Sequence, residues 1–190
     1  MEKKSNTTYD LVLEAAGAAL ISVSAFISLS FMAVPFTLQT LAVFAVLMSI
    51  GGKRGTVSII CYLIIGGIGI PVFSGFKGGI GVLLGPTGGF LVGFIFVGLL
   101  YWLLAEHIFR INDRKTGVRI AIKAVTAVIC EIVLYTFGVI WFITVYASQT
   151  GPVGIATALS LCVFPFIVPD IVKIAAAVSV SEAVIKAIKH

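Results

Sequence analysis

The sequence predicts an all-α integral membrane protein: one membrane-embedded domain over residues 1–190, with six transmembrane helices joined by irregular external loops. Three observations carry this. Apolar residues make up 59% of the chain and charged residues 11%, against about 25% charged in soluble domains. The mean hydropathy is +1.16, more apolar surface than a chain of this length can hide from water. The few basic residues are gathered between alternate apolar segments.

The first segment runs from Tyr9 to Ala33. Lys3 and Lys4 precede it, but the apolar stretch Leu11–Val34 outruns the roughly 7–15 residues of a cleaved leader's core, so it is expected to be retained as a span. The second runs from Phe36 to Ile50, the third from Gly55 to Ile70, the fourth from Gly88 to Phe109, the fifth from Val118 to Ala147 and the sixth from Pro169 to Ile188. A helix rises about 1.5 Å per residue, so the second segment covers only about 22 Å of a hydrocarbon core about 30 Å thick. An apolar piece of about 16 Å, Gly154–Phe164, precedes Pro165 and Pro169 and reads as a re-entrant or interfacial half-helix. Irregular backbone at that depth is tolerated only where protein or a water-filled cavity surrounds it.

Every lysine and arginine except Lys77 and Lys173 falls at the N-terminus, between spans two and three, in or flanking the loop between spans four and five, or at the C-terminal end. By the positive-inside rule those ends are cytoplasmic, with both termini inside. Three irregular segments then converge on the outer face: Val34–Gln39, the glycine-rich stretch Gly67–Phe90, and the proline-rich piece before Asp170. Gly67–Phe90 also carries Ile68, Ile70, Phe73, Phe76, Ile80 and Leu84. A solvated linker is Ser-rich and polar, so this stretch is expected to be an apolar lid packed over a pocket.

Several chemistries lack support. Gly51-Gly52-Lys53-Arg54-Gly55 has the wrong spacing for a phosphate-binding loop, and no HExxH motif occurs. Cys61, Cys130 and Cys162 sit singly in apolar runs, and His107 and His190 lie at segment ends. The net charge of +5 follows from topology and does not point to nucleic acid. No enzyme is indicated. Ionisable groups inside spans are expensive and tend to be functional; here they are Glu14, Glu131, Asp170 and Lys173. Glu131 is expected to face Lys123 or a polar neighbour. Pro169 suits the first position of the last helix and Asp170 the second, where a carboxylate is favoured, with Lys173 three residues on and on the same face.

The stretches GGIGIPVFSGFKGGIGVLLGPTGGF, VPFTLQT and FPFIVPDIVKI resemble the BioY family, the biotin-specific substrate-binding subunits (S components) of energy-coupling-factor transporters. The resemblance runs from the first helix to the last. Its specific parts are Gly85-Pro86-Thr87-Gly88-Gly89 and the pair Asp170-x-x-Lys173. It implies six helices, high-affinity capture of biotin from outside, and docking onto a transmembrane coupling subunit and two ATP-binding subunits that hydrolyse ATP. Biotin is then the cargo, and no resident cofactor is implied. Ala15-x-x-x-Ala19 matches the family's docking motif, and Ser22 extends it as a stripe of small residues. For the ligand, Asp170 is expected to accept a ureido N–H. Lys173 is expected to bind the ureido carbonyl or the valerate carboxylate, with Lys77 a second candidate for the carboxylate. Gly78, Gly79 and Gly85 form the glycine-rich cover, Phe73, Phe90 and Trp141 the walls, and Gln39 a further polar contact. The chain departs from the family at Phe90, where tyrosine is frequent, and at Lys77, where uncharged polar residues also occur. The competing readings are a subunit for another vitamin and a stand-alone secondary transporter.

Overall fold

The computed structural model describes residues 7–29, 34–111, 114–151 and 153–188. In chain order these form α1 (Thr7–Phe26), a two-stranded ribbon β1 (Ser28–Leu29) and β2 (Phe36–Thr37), α2 (Gln39–Ile50), α3 (Gly52–Gly67), α4 (Ile80–Leu83), α5 (Gly88–Tyr101), α6 (Thr116–Thr150), α7 (Ile155–Cys162) and α8 (Phe164–Ile188). After Tyr101 the helix of α5 widens into π turns over Trp102–Ile108, closed by the Phe109 amide donating to the Leu104 carbonyl at 2.8 Å. Lys3, Lys4, Lys189 and His190, which enter the topology argument, lie outside the described residues, as do residues 30–33 at the end of the expected first span.

Among the described residues, four helical stretches are long and apolar enough to cross a membrane: Thr7–Phe26, Gly88–Ile108, Thr116–Ala147 and Ile155–Ala187. α2 and α3 have 12 and 16 residues, or about 18 and 24 Å. α2 is the hub: it packs on α8, α3 and α1, and Val43, Phe44 and Leu47 are fully buried. A helix apolar all round belongs in such a position. α5 and α6 interlock through small residues, the general means by which helices associate in lipid. The Phe90 ring sits over Gly138 and the Trp141 side chain over Gly89, each so close that a Cβ would overlap it. Val12, Val23, Val125, Ile132, Ile171 and Val172 lie exposed on the outer faces of the helices, as lipid-facing positions require.

α2 starts at Gln39, after Phe36 and Thr37 have entered the ribbon, and α3 spans Gly52–Gly67 where Gly55–Ile70 is expected; two boundaries differ by more. α1 ends at Phe26, not Ala33, because the chain turns into the ribbon, where Ser28 pairs with Thr37 and Leu29 with Phe36. Pro35 disfavours helix at the residue before it. α8 begins at Phe164, one and a half turns before Pro169, which lies inside the helix. Pro165 sits in the first turn, where its missing N–H has no intrahelical partner to lose. Pro169 forfeits only the bond to the Pro165 carbonyl, a loss that membrane helices tolerate. Asp170 therefore does not sit at a helix N-terminus, and the helix dipole does not account for its charge. α7 is the expected short piece, separated from α8 by a break at Val163.

Candidate ligand-binding site

α8 presents Asp170 and Lys173 three residues apart on one face, inside the molecule. Lys173 Nζ donates to Asp170 Oδ1 at 2.8 Å, and the Tyr135 hydroxyl, from α6, donates to Oδ2 at 2.5 Å. Asp170 is 4% exposed and Lys173 5%. Lys173 also lies 4.2 Å from the centre of the Phe36 ring on the ribbon, a contact that favours a desolvated cation. One turn before Tyr135 on α6 stands Glu131, 5% exposed and within electrostatic reach of Asp170 and Lys173. Neither of its oxygens receives a donor among the described residues, and its carboxyl stands within hydrogen-bonding reach of Asp170.

These groups line a cavity of about 340 Å³. Val34, Pro35, Thr37 and Gln39 close it from the ribbon side, and Phe73, Ser74, Lys77, Gly81, Val82 and Gly85 from the glycine-rich stretch. Phe90, Leu91 and Phe94 of α5, Leu134 of α6, and Cys162 and Phe166 at the α7–α8 break complete it. The interior is thus mostly apolar with a few convergent polar groups, the usual form of a small-molecule site.

The glycine-rich stretch is held by its backbone. Phe73 and Lys77 form a narrow bridge, with amide-to-carbonyl distances of 2.9 and 3.3 Å. The Phe73 ring plugs the space over Gly66 and meets Tyr62 edge-on at 5.4 Å. Phe76 stacks on Phe26 of α1 at 4.5 Å. The expected apolar lid is only partly that: Phe73 is buried, but Ile68, Ile70, Phe76, Ile80 and Leu84 are exposed, because main-chain bonds and one aromatic anchor do the packing.

Of the residues expected in the site, Asp170, Lys173, Lys77, Gln39, Gly85, Phe73 and Phe90 line the cavity. Gln39 is buried, its amide donating to the Tyr62 hydroxyl at 2.7 Å. Lys77 is exposed at the rim. Gly78, Gly79 and Trp141 are not lining residues. A Cβ on Gly78 would lie 2.5 Å from the Ile70 carbonyl oxygen, so glycine is needed for the loop to close on itself. Gly79 has a φ of +96° and donates its amide to Gly66 at 2.7 Å. Trp141 is a tether: Nε1 donates to the Gly85 carbonyl at 3.0 Å, tying the loop to α6. Of the docking stripe, Ala15 and Ala19 are exposed on α1 and Ser22 is half-buried, its hydroxyl donating to the Ala18 carbonyl at 2.8 Å.

Glu131 does not face Lys123. Lys123 is held by α8, donating to Ser181 at 2.8 Å and to Glu182 at 2.7 Å, beside the Arg119–Glu182 pair. Arg54 pairs with Asp10 at 2.6 Å. These charges gather around a second cavity, which Lys53 and Glu106 also line. Tyr135, Phe36 and Ser74 were not expected at the site. For Tyr135 the available signal is its spacing: it stands four residues after the mid-span carboxylate Glu131, hence on the same helix face.

Comparison with known proteins agrees with this architecture. Residues 1–190 match the model of the BioY family. The probable biotin transporter BioY of Pyrococcus horikoshii is 39% identical over 173 residues, 91% of this chain and 94% of that protein. Biotin transporter BioY2 of Lactococcus lactis is 36% identical over 187 residues, covering 96% and 93% of the two chains. The crystal structure of the S-component for biotin from an ECF-type ABC transporter superposes with a TM-score of 0.79, covering 98% of this chain and 95% of that one at 24% identity.

Proposed function

The chain belongs to the BioY family, and from that premise we propose that it captures biotin from outside the cell as the substrate-binding subunit of an ATP-driven energy-coupling-factor importer. The observation that carries the ligand reading is the buried Asp170–Lys173–Tyr135 network at the floor of an apolar cavity. Biotin needs such a place: an apolar bicyclic ring with a neutral cyclic urea at one end and a carboxylate at the end of a flexible chain. Asp170 accepts a ureido N–H, and Lys173, held deep by Asp170 and Phe36, donates to the ureido carbonyl. The valerate carboxylate then points to the rim, toward Lys77 and the Ser74 hydroxyl, which has no partner among the described residues. Phe73, Phe90 and Phe166 enclose the ring system. Thermal equilibration with bulk biotin is slow on purification timescales for a tight site, so native mass spectrometry of the chain purified in detergent from biotin-fed cells is the direct test. Biotin bound one to one supports the reading; a different small molecule in its place refutes it.

In this reading α2 and α3 complete six spans, shortened because the site hollows out the outer half of the bundle. Both termini are cytoplasmic, in line with the basic ends, and the Gly67–Phe90 stretch lies outside. ATP hydrolysis belongs to the partner subunits. Docking uses the exposed Ala15 and Ala19 face of α1, where small side chains let a partner helix approach closely. Ala15→Trp and Ala19→Trp are expected to abolish co-purification with the coupling subunit while leaving biotin affinity within about twofold, since surface changes away from the site typically cost under about 0.5 kcal/mol. Wild-type levels of assembly in both variants refute the assignment of this face.

A further inference from the structure

We propose that Glu131 is a recognition residue of this site, accepting the second ureido N–H of the ligand, so that the site reads a cyclic urea through both of its nitrogens. The inference rests on the biotin reading above and deepens it. A cyclic urea offers two N–H donors, one on each side of a single carbonyl acceptor. Asp170 and Lys173 alone match one donor and the acceptor, and would leave the second N–H buried without a partner. The structure supplies the missing acceptor. Glu131 lines the same cavity, but from α6, whereas Asp170 comes from α8, so the two carboxylates approach from different walls.

The state of Glu131 argues for a ligand role over a structural one. Asp170 already receives two donors, Lys173 on one oxygen and Tyr135 on the other. Glu131 is 5% exposed and receives no donor from the other described residues; its hydrogen-bonding neighbour is the Asp170 carboxyl. Lys123, the lysine two turns earlier on the same helix, is committed to Ser181 and Glu182. A buried carboxyl oxygen left without a donor is unfavourable, and beyond its contact with Asp170 Glu131 has an oxygen to offer an N–H of the cargo. A site built to hydrogen-bond an N–H rejects analogues that lack it far more strongly than an apolar pocket rejects a change of size. Glu131 is thereby assigned to selectivity, against cyclic ligands with one N–H or none.

Calorimetric titration of the purified chain with biotin and with its two mono-N-methyl ureido derivatives tests this without any substitution. Each methylation removes one N–H, and both are expected to weaken binding by about tenfold or more, the scale of a lost hydrogen bond to a charged group. Wild-type affinity for either derivative overturns the proposal, because one nitrogen then needs no acceptor. Glu131→Gln supplies the second arm. It keeps the shape and removes the charge, and is expected to weaken biotin about tenfold while shrinking the penalty for methylation at one nitrogen and leaving the other unchanged. Equal penalties at both nitrogens, with unaltered biotin affinity, overturn the assignment of Glu131 while leaving biotin capture standing. Absence of any biotin binding by the unaltered chain refutes biotin capture itself, and this assignment with it.

Discussion

Lys173→Ala and Asp170→Asn each weaken biotin binding by at least about tenfold, a free-energy loss of about 1.4 kcal/mol or more, with Lys173→Ala the more severe. The reason is desolvation. Both groups are almost fully buried, and removing one member of a buried ion pair leaves an uncompensated charge, at a cost of about 3–5 kcal/mol. Without Lys173, two carboxylates, Asp170 and Glu131, share one apolar cavity with no cation among its other buried lining residues. The empty protein should therefore lose thermal stability in detergent as well as affinity. Asp170→Asn is milder because the amide oxygen still accepts from Tyr135; it loses the pairing with Lys173 and the charge that strengthens the ureido contact. Titration calorimetry with parallel thermal unfolding separates the two effects. Unchanged biotin affinity in both variants would remove the pair from the site.

Gly88→Ala is the second change with a large expected effect, and it touches no ligand-binding side chain. An added Cβ would lie 1.8 Å from the Leu83 carbonyl oxygen. This is backbone against backbone, so no rotamer change relieves it. Either α4 or the start of α5 must move, and both carry cavity-lining residues: Val82 on one side, Phe90 and Leu91 on the other. Overpacking typically costs about 1–3 kcal/mol, equivalent to roughly ten- to a hundredfold in affinity if the strain falls on the loop over the site. Gly67→Ala is the control: its Cβ would meet only the Leu83 side chain at 3.4 Å, an ordinary contact, and biotin affinity should stay within about twofold, since surface changes of this kind usually cost under about 0.5 kcal/mol. Equal affinities for the two variants would show that the loop does not need its observed path to hold the ligand.

Much of the site could be read in advance because its residues break local rules. A carboxylate and a lysine three apart in an apolar run, a lone lysine in a glycine-rich stretch, and a glutamine four residues after a proline all stand out against a lipid-soluble background. What could not be read is which helices face each other. Of the two expectations for Glu131, Lys123 or a polar neighbour, the second holds: Lys123 turns to Ser181 and Glu182 of α8, and Glu131 faces the cavity beside Asp170 and Lys173. Tyr135 carries only its spacing from Glu131 as a signal, and its role emerges when α8 brings Asp170 to within 2.5 Å of its hydroxyl. Trp141 had the composition of a pocket wall, but its indole N–H spends its contact on the Gly85 carbonyl. Pro169 reads as a helix start by every local criterion; the helix begins earlier because Pro165 fills that role and a membrane helix absorbs one missing bond. Gly78 and Gly79 illustrate the same limit. At Gly78 the close approach is to the loop's own Gly69 and Ile70 carbonyls, whereas Gly79 has no close neighbour and is needed for its φ of +96°.

The most direct test of the account is calorimetric titration of the unaltered, ligand-stripped chain with biotin and with the diamine formed when its ureido ring is opened. The account predicts saturable one-to-one binding of biotin at submicromolar concentration, corresponding to about −8 kcal/mol or better. It also predicts binding of the diamine weaker by at least about a hundredfold, since the acceptor for Lys173 is gone and buried partners are left unpaired. No binding of biotin, or equal binding of the two compounds, would contradict it.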